Sequence, residues 1–359
     1  FDTNYLTFRV SLFLIINKFK EVSMTVNVAI NGFGRIGRNI LRAIVESGRK
    51  DIKVVAINDL APINTSVHLL KYDSVHGRFP KKISVLDENM DLGLGSIQMS
   101  SERDFANLNW QNKGVDIVME CTGVFTSREG AGGHIKAGAK KVLISAPASD
   151  VDITVVFGVN HQKLESNHII VSNASCTTNC LAPVAKVLNK EVGIENGFMT
   201  TVHSFTGDQP VLDTVHGDLY RTRSASQNMI PTSTGAAKAV GLVLPELDGK
   251  LNGIAVRVPT ANVSMIDLTF NALKDTNSDE INEAIRSASE KSDLKGVLSF
   301  TDEKLVSSDF NHNSHSSIFH TDQTKVTGKR LVRVLSWYDN EWGFSNRMAD
   351  TAVVMGKEL

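Results

Sequence analysis

Directly after a β-branched run at 26–30 the chain reads Asn31-Gly32-Phe33-Gly34-Arg35-Ile36-Gly37, and no other stretch constrains the fold as much. In a Gly-x-Gly-x-x-Gly set between strand and helix, Gly32 allows a tight turn, Gly34 lets backbone approach a pyrophosphate, and Gly37 permits close helix packing. Ile36, Ile40, Leu41, Ile44 and Val45 then recur at helical spacing as far as Gly48, and a second apolar run follows at 53–57. The unit is strand, helix, strand, and the helix start offers free N–H groups to an anion. A glycine triplet alone also occurs in ordinary turns. Asp59, about twenty residues beyond Gly37 and just past the second strand, strengthens the reading, because a carboxylate there accepts hydrogen bonds from a ribose diol. It also repels the additional phosphate of NADP, so the cofactor expected is NAD.

Further apolar runs at 115–120, 141–144, 153–157 and 168–171 alternate with helical stretches, the rhythm of a parallel sheet covered by helices. Beyond residue 176 the strand runs lengthen, at 253–258, 262–270 and 329–337. The fold class expected is α/β, with a Rossmann-type doubly wound parallel sheet domain at 24–175 and an α+β catalytic domain at 176–338. At 339–359, Met348, Ala349, Ala352, Val353 and Met355 form the stripe of a last helix that returns to the first domain. A length of 359 residues suits two domains. Between His203 and Pro231 lies a long aperiodic stretch, and such loops inside compact domains are usually functional. Residues 206–230 are therefore expected to contact the cofactor or another subunit.

Composition narrows the class of function. A net charge of -1 gives no reason to expect a polyanionic partner, so nucleic-acid binding is not expected. Cys121, Cys176 and Cys180 are too few for a secreted disulfide framework and have no zinc-site spacing, which suits a cytoplasmic protein without a metal. The apolar run at 10–16 is far short of the roughly 20 residues that span a bilayer, so no membrane association is expected. Arg9, Lys18 and Lys20 around it have some likeness to a targeting peptide, but no small-x-small cleavage pattern follows. Met24-Thr25-Val26 leads straight into the first strand, so residues 1–23 are read as an irregular extension or upstream residues.

The candidate chemistry lies at Asn173-Ala174-Ser175-Cys176-Thr177-Thr178-Asn179-Cys180, between a strand and a helix bearing Leu181, Val184, Val187 and Leu188. A cysteine opening a helix has its thiolate stabilised by free N–H groups and the macrodipole, so the thiol is expected below the free value of about 8.5. The other reading of Cys176 is a small buried core residue, the usual fate of a free cysteine. Cys180, one turn further on, reads as packing.

Five segments, INGFGRIGR, NASCTTNC, TTVHSFTGDQ, PTSTGAAK and WYDNEWGFSNR, occur in order and together resemble the bacterial, phosphorylating glyceraldehyde-3-phosphate dehydrogenases from about residue 24 to the C-terminus. The resemblance implies that Cys176 attacks the aldehyde of glyceraldehyde 3-phosphate and that His203 is the general base, leaving a thioester for inorganic phosphate to attack. It implies that Ser175, Thr177, Arg221, Thr234 and Gly235 hold the attacking phosphate, and that Thr206, Asp208 and Arg257 hold the substrate's own. Hydroxyls, helix starts and guanidinium forks suit phosphate. Arg35, Ile36, Arg103, Thr122 and Asn340 match positions that touch NAD beside Gly32, Gly34, Gly37 and Asp59. A homotetramer with the 206–230 loop at the interface is implied as well.

Three departures stand out. Tyr220 stands where many relatives have arginine, Phe344 where many have tyrosine, and Thr214-Val215 where strictly NAD-using relatives often carry a proline, which bears on how fully NADP is rejected. Two rivals remain. One is an erythrose-4-phosphate dehydrogenase on the same scaffold, against which Thr234-Gly235-Ala236-Ala237-Lys238 is intact. The other is a catalytically silent binding protein, against which both Cys176 and His203 are present.

Overall fold

The computed structural model of the chain describes residues 25–93, 95–291 and 293–359, so the expectation for residues 1–23 lies outside the described residues. Two large sheets carry the architecture. The first contains β1 (Val26–Asn31), β2 (Ile52–Asn58), β3 (Ser84–Leu86), β4 (Asn89–Asp91), β5 (Ser96–Ser100), β6 (Ile117–Glu120), β7 (Lys141–Ile144), β8 (Ile153–Thr154) and β9 (Ile170–Ser172). Their order is β8-β9-β7-β6-β1-β2-β5-β4-β3. Pairing is parallel from β8 as far as β5, and β5, β4 and β3 are antiparallel. Central strands are apolar on both faces because helices cover both; Val28, Ala29 and Ile30 are fully buried. The exposed edge strand β3 has no such signature, which is why the sequence reading contains no strand there.

From β1 the chain winds to β2 on one side and later to β6 on the other. A crevice opens at the carboxyl ends of the strands where the winding reverses. The helix α1 (Arg35–Glu46) directs its start at that crevice, and its Ile40, Leu41 and Ile44 sit in the core beneath the sheet. α2 (Ile63–Lys71) and α3 (Arg128–Lys136) also connect strands of this sheet.

The second sheet contains β10 (Ile194–Ser204), β11 (Ile230–Ser233), β12 (Leu251–Val258), β13 (Ser264–Ala272), β14 (Leu298–Thr301), β15 (Ser317–His320), β16 (Lys325–Thr327) and β17 (Leu331–Tyr338). Its path is β11-β12-β10-β13-β17-β15-β14, with β16 on β17. One face packs on α4 (Cys176–Glu191), α5 (Ala236–Val243) and α6 (Ser278–Lys291), through Leu181, Val184 and Leu188 against Ile266, Leu268 and Phe270. The opposite face leaves Phe198 and Ile254 exposed. The final helix α7 (Trp342–Lys357) inserts Phe344, Met348, Ala352 and Met355 into the core of the first sheet. No helix among the described residues is long and apolar enough to cross a membrane.

Candidate active site

A cavity of about 400 Å³ lies at the carboxyl ends of β1, β2 and β6, lined by Gly32, Gly34, Asp59, Arg103, Phe105 and Thr122 among others. Its walls explain the glycines. Gly32 has φ +92, and a Cβ there would stand 2.7 Å from the Thr122 nitrogen; a Cβ on Gly37 would stand 2.1 Å from the Gly32 carbonyl oxygen. No side chain caps α1, so the N–H groups of its first turn are left for a ligand. Asp59 is anchored by the N–H groups of Phe33 (2.6 Å) and Ala61 (2.8 Å) and still lines the cavity. Uncapped N–H groups, close backbone and a carboxylate in one crevice fit a dinucleotide.

Arg35 contributes differently from its neighbours. Its guanidinium is turned to Asp73 (2.5 Å) and to Glu341, so what it brings to the crevice is the N–H at the first position of α1. Ile36 packs against the apolar core. Asn340 lies between the two sheets' ends, its Oδ1 accepting hydrogen bonds from Ser204 (2.8 Å) and Ser264 (3.0 Å), which fixes the amide's orientation.

Behind this crevice, β9 runs into the turn that presents Cys176. Ala174 is left-handed at φ +56, an unfavourable conformation for a residue with a Cβ. The turn is held in place by Asn179, whose amide donates to the carbonyls of Asn173 (2.8 Å) and Ser175 (2.9 Å), while Thr351 of α7 donates to the Asn173 side chain (2.8 Å). Ser175 accepts from the Thr178 N–H (3.0 Å) and caps α4, so Cys176 is the first residue of the helix. Its half-buried Sγ lies 3.6 Å from Nε2 of His203 at the end of β10. Nδ1 of the same ring is 2.7 Å from the Ser204 carbonyl. At Nδ1 the Ser204 carbonyl, which only accepts, and the Arg257 Nη1 at 3.0 Å, which only donates, make opposite demands on the ring, while Nε2 is the nitrogen turned to the thiol.

The electrostatics correct one expectation. Burial pushes the Cys176 thiol up, and the Arg257 charge and the hydrogen bonds of Thr177 pull against it without reversing the direction. The helix start alone therefore does not hold a thiolate in the ligand-free site. Burial, followed by the Arg257 charge, pushes the His203 imidazole down to about 3. A neutral thiol thus faces a neutral imidazole. Cys180 is fully buried, its Sγ 3.3 Å from the Ser317 hydroxyl, and burial pushes it up to about 12.

Anion-binding groups surround this pair. Arg257 Nη1 lies 3.0 Å from His203 Nδ1, 3.1 Å from the Ser204 carbonyl and 3.1 Å from the Thr206 hydroxyl. Thr206 donates to Asp208, which also accepts from Arg221 (3.0 Å). Asp208 thereby links the two groups expected to hold different phosphates. Thr234 accepts from the Ala236 N–H (3.2 Å) and Gly235 begins α5 without a side-chain cap. The Thr178 hydroxyl reaches the Ala236 carbonyl at 3.4 Å, so the starts of α4 and α5 are neighbours. Thr177 is buried, its hydroxyl 2.9 Å from Tyr338 and also in hydrogen-bond reach of the Cys176 thiol.

Residues 26–128 match the model of the glyceraldehyde 3-phosphate dehydrogenase NAD binding domain, and residues 175–340 match that of the C-terminal domain of the same family. This chain belongs to the glyceraldehyde-3-phosphate dehydrogenase family. A glyceraldehyde-3-phosphate dehydrogenase of Xanthobacter flavus is 66% identical over 334 residues, covering 93% of this chain and 99% of the relative. One from Cereibacter sphaeroides is 64% identical over 336 residues, covering 94% and 100%. One from Pseudomonas aeruginosa is 58% identical over 333 residues, covering 92% and 98%. The cofactor of the dehydrogenase is NAD, as the first family model describes.

Sequence reasoning missed several residues that shape the dehydrogenase site. Tyr338 is buried, with its hydroxyl 2.8 Å from Thr201 and its ring edge-on to His203 at 5.8 Å. Asn31 and Asn58 line the cavity at the carboxyl ends of β1 and β2 and bond to each other at 2.8 Å. The WYDNEW segment contained the signal for Tyr338; nothing in spacing pointed to the asparagines. Of the departures, Tyr220 and Val215 are exposed, and Phe344 is buried in α7.

Proposed function

We propose that this protein oxidises D-glyceraldehyde 3-phosphate to 1,3-bisphosphoglycerate with reduction of NAD, through a thioester on Cys176. The observation that carries the proposal is the 3.6 Å contact of the Cys176 thiol with Nε2 of His203, an imidazole that burial keeps neutral. As Sγ attacks the aldehyde carbon, its proton passes through Nε2 of His203 to the carbonyl oxygen, giving a hemithioacetal. NAD, when bound, supplies the hydride acceptor. His203 takes the hydroxyl proton as the hemithioacetal is oxidised to the thioester. Inorganic phosphate then attacks the acyl carbon, and Cys176 departs and recovers a proton from His203. Gly32, Gly34, Gly37, Asp59, Arg103, Thr122 and Asn340 would hold the cofactor, with the backbone at Arg35 and Ile36. Thr206, Asp208 and Arg257 would hold the substrate phosphate, and Ser175, Thr177, Arg221, Thr234 and Gly235 the attacking one.

The domain boundaries we propose are 24–175, 176–338 and 339–359, as the two sheets and the return of α7 suggest. We also infer a homotetramer. Val211, Leu212, Val215, Leu219, Tyr220 and Met229 are exposed apolar residues crowded into the 206–230 loop, which is bonded to the edge strand β11 through Arg221 and Thr232. An exposed apolar patch of that kind marks an interface. Light scattering of the purified protein at micromolar concentration tests this, and a monomer refutes it.

Mixing enzyme, NAD and glyceraldehyde 3-phosphate without phosphate tests the chemistry. The expected result is a burst of NADH matching the number of active sites, then sustained turnover once phosphate is added. A rate indifferent to phosphate, or faster on erythrose 4-phosphate, overturns the assignment.

A further inference from the structure

The carboxylate of Glu120 is buried at the carboxyl end of β6, 1% exposed, and does not itself line the cofactor cavity. One oxygen accepts hydrogen bonds from the Asn31 amide (2.6 Å) and from Nε2 of His134 (2.8 Å). The other accepts from the Thr122 N–H (2.8 Å) and the Thr122 hydroxyl. These directions are fixed, not chosen by the network. The Trp110 indole N–H can only donate, and it lies 3.1 Å from Nδ1 of His134, so Nε2 of that ring carries the hydrogen given to Glu120. The Asn31 amide oxygen in turn accepts from Asn58 (2.8 Å), so its NH2 faces Glu120. All four contacts are donors, which only an acceptor-only carboxylate satisfies.

The groups it holds are walls of the crevice. Asn31 leads into the Gly32 turn, and Thr122 is the residue whose nitrogen leaves no room for a Cβ on Gly32. Asn58 extends the network by accepting from the Glu102 N–H (2.8 Å) and donating to the Glu102 carbonyl (2.9 Å), next to Arg103. Loops after three neighbouring strands are thus registered against one another through a single buried group.

We propose that Glu120 is a positioning residue for the cofactor, setting the glycine turn and the Thr122 wall at the spacing a dinucleotide requires. It touches neither cofactor nor substrate and acts through Asn31 and Thr122. Burying a charged group among donors is tolerable only while every donor is in place, so replacing one oxygen by a donor is disruptive at one wall or the other. The proposal rests on the cavity being the NAD site.

The test is Glu120→Gln in the full-length enzyme, beside Trp110→Phe. The amide must turn its NH2 toward either the Thr122 pair of donors or the Asn31 and His134 pair. We expect the Kd and KM for NAD to rise tenfold or more, kcat at saturating NAD to stay within threefold, and alkylation of Cys176 in the absence of NAD to stay within twofold. Trp110→Phe removes a bond of the same network away from the crevice, so it should lower the melting midpoint and leave KM for NAD unchanged. If Glu120→Gln does not fold, Glu120→Asp, which withdraws the oxygens by one methylene, is expected to show the same split. A folded Glu120→Gln with parental NAD affinity overturns the proposal, as does an equal rise in KM with Trp110→Phe. A parent enzyme that binds no NAD would instead overturn the reading of the cavity.

Discussion

The Sγ of Cys176 and the Nε2 of His203 meet at 3.6 Å from two different elements, the first turn of α4 and the last residues of β10. Because burial pushes the thiol up and the imidazole down, neither group is charged before a ligand arrives. The proton moves as the carbon–sulfur bond forms, and a resting ion pair is not required.

One prediction follows for alkylation. Iodoacetamide reacts with the thiolate, so in the NAD-free enzyme its rate should climb with pH and reach its midpoint above the ordinary thiol value of about 8.5. Stopped-time labelling followed by mass spectrometry of the Cys176 peptide measures this. A plateau already reached below neutral pH would show that the helix start outweighs burial.

Removing either partner should have different kinetic consequences. Cys176→Ser is expected to lower kcat at least about a thousandfold and to abolish the NADH burst, since no thioester can accumulate. His203→Asn keeps the nucleophile but loses the base, so kcat should fall by about 10²–10⁴-fold with KM for NAD little changed. Pre-steady-state absorbance at the NADH band distinguishes the two. An unaltered burst rate in His203→Asn would remove the imidazole from the chemistry.

Asp59 presents a carboxylate to the cavity while being fixed by two backbone N–H groups. Asp59→Asn keeps much of the shape and removes the charge that repels a ribose phosphate. The ratio of kcat/KM for NAD over NADP should drop at least about tenfold, through a loss with NAD and a gain with NADP. Steady-state kinetics with both nucleotides decides; an unchanged ratio would place the discrimination elsewhere, with Thr214 and Val215 the next positions to exchange.

The strands and helices with a buried apolar pattern were legible in the sequence. β7 coincides with the run read at 141–144, and β12, β13 and β17 differ from their expected bounds by about two residues, because strand ends are set by pairing partners that a single chain does not display. The antiparallel edge at β3 and β4 was not legible, since both strands are only three residues long and lack β-branched alternation, and β3 is exposed throughout. At the site, residue types in short motifs placed Cys176 and His203 on the correct elements. Direction of charge was not legible: the helix start argued for a depressed thiol, whereas the burial that opposes it comes from packing around Cys176, including Tyr338, which is 162 positions away in the chain. Long-range polar partners such as Arg35 with Glu341, or Glu120 with Asn31, leave no periodic trace at all.

The Arg35–Asp73 pair gives a final prediction, on stability. Burial by itself would push the Asp73 carboxyl up, but the Arg35 hydrogen bond and charge, with the N–H groups of His76 and Val75, overcome it and hold the group at about 2. The Asp73 side chain is 3% exposed and that of Arg35 is 32% exposed, so solvent screening trims the contribution of the pair without removing it. A carboxyl depressed in the folded state favours folding fully above its unfolded value of about 3.9, and that contribution is lost as pH falls from there toward 2. The gap is close to two pH units, which is between about 2 and 3 kcal/mol. Asp73→Asn should therefore lower the urea midpoint at pH 7, and the difference from the parent should shrink once the pH drops below about 4. Because Arg35 also bonds Glu341 at the start of α7, the variant should loosen the seat of that helix, seen as faster amide exchange in 342–357. A difference that persists undiminished at pH 3 would mean that Asp73 acts through shape and not through its charge.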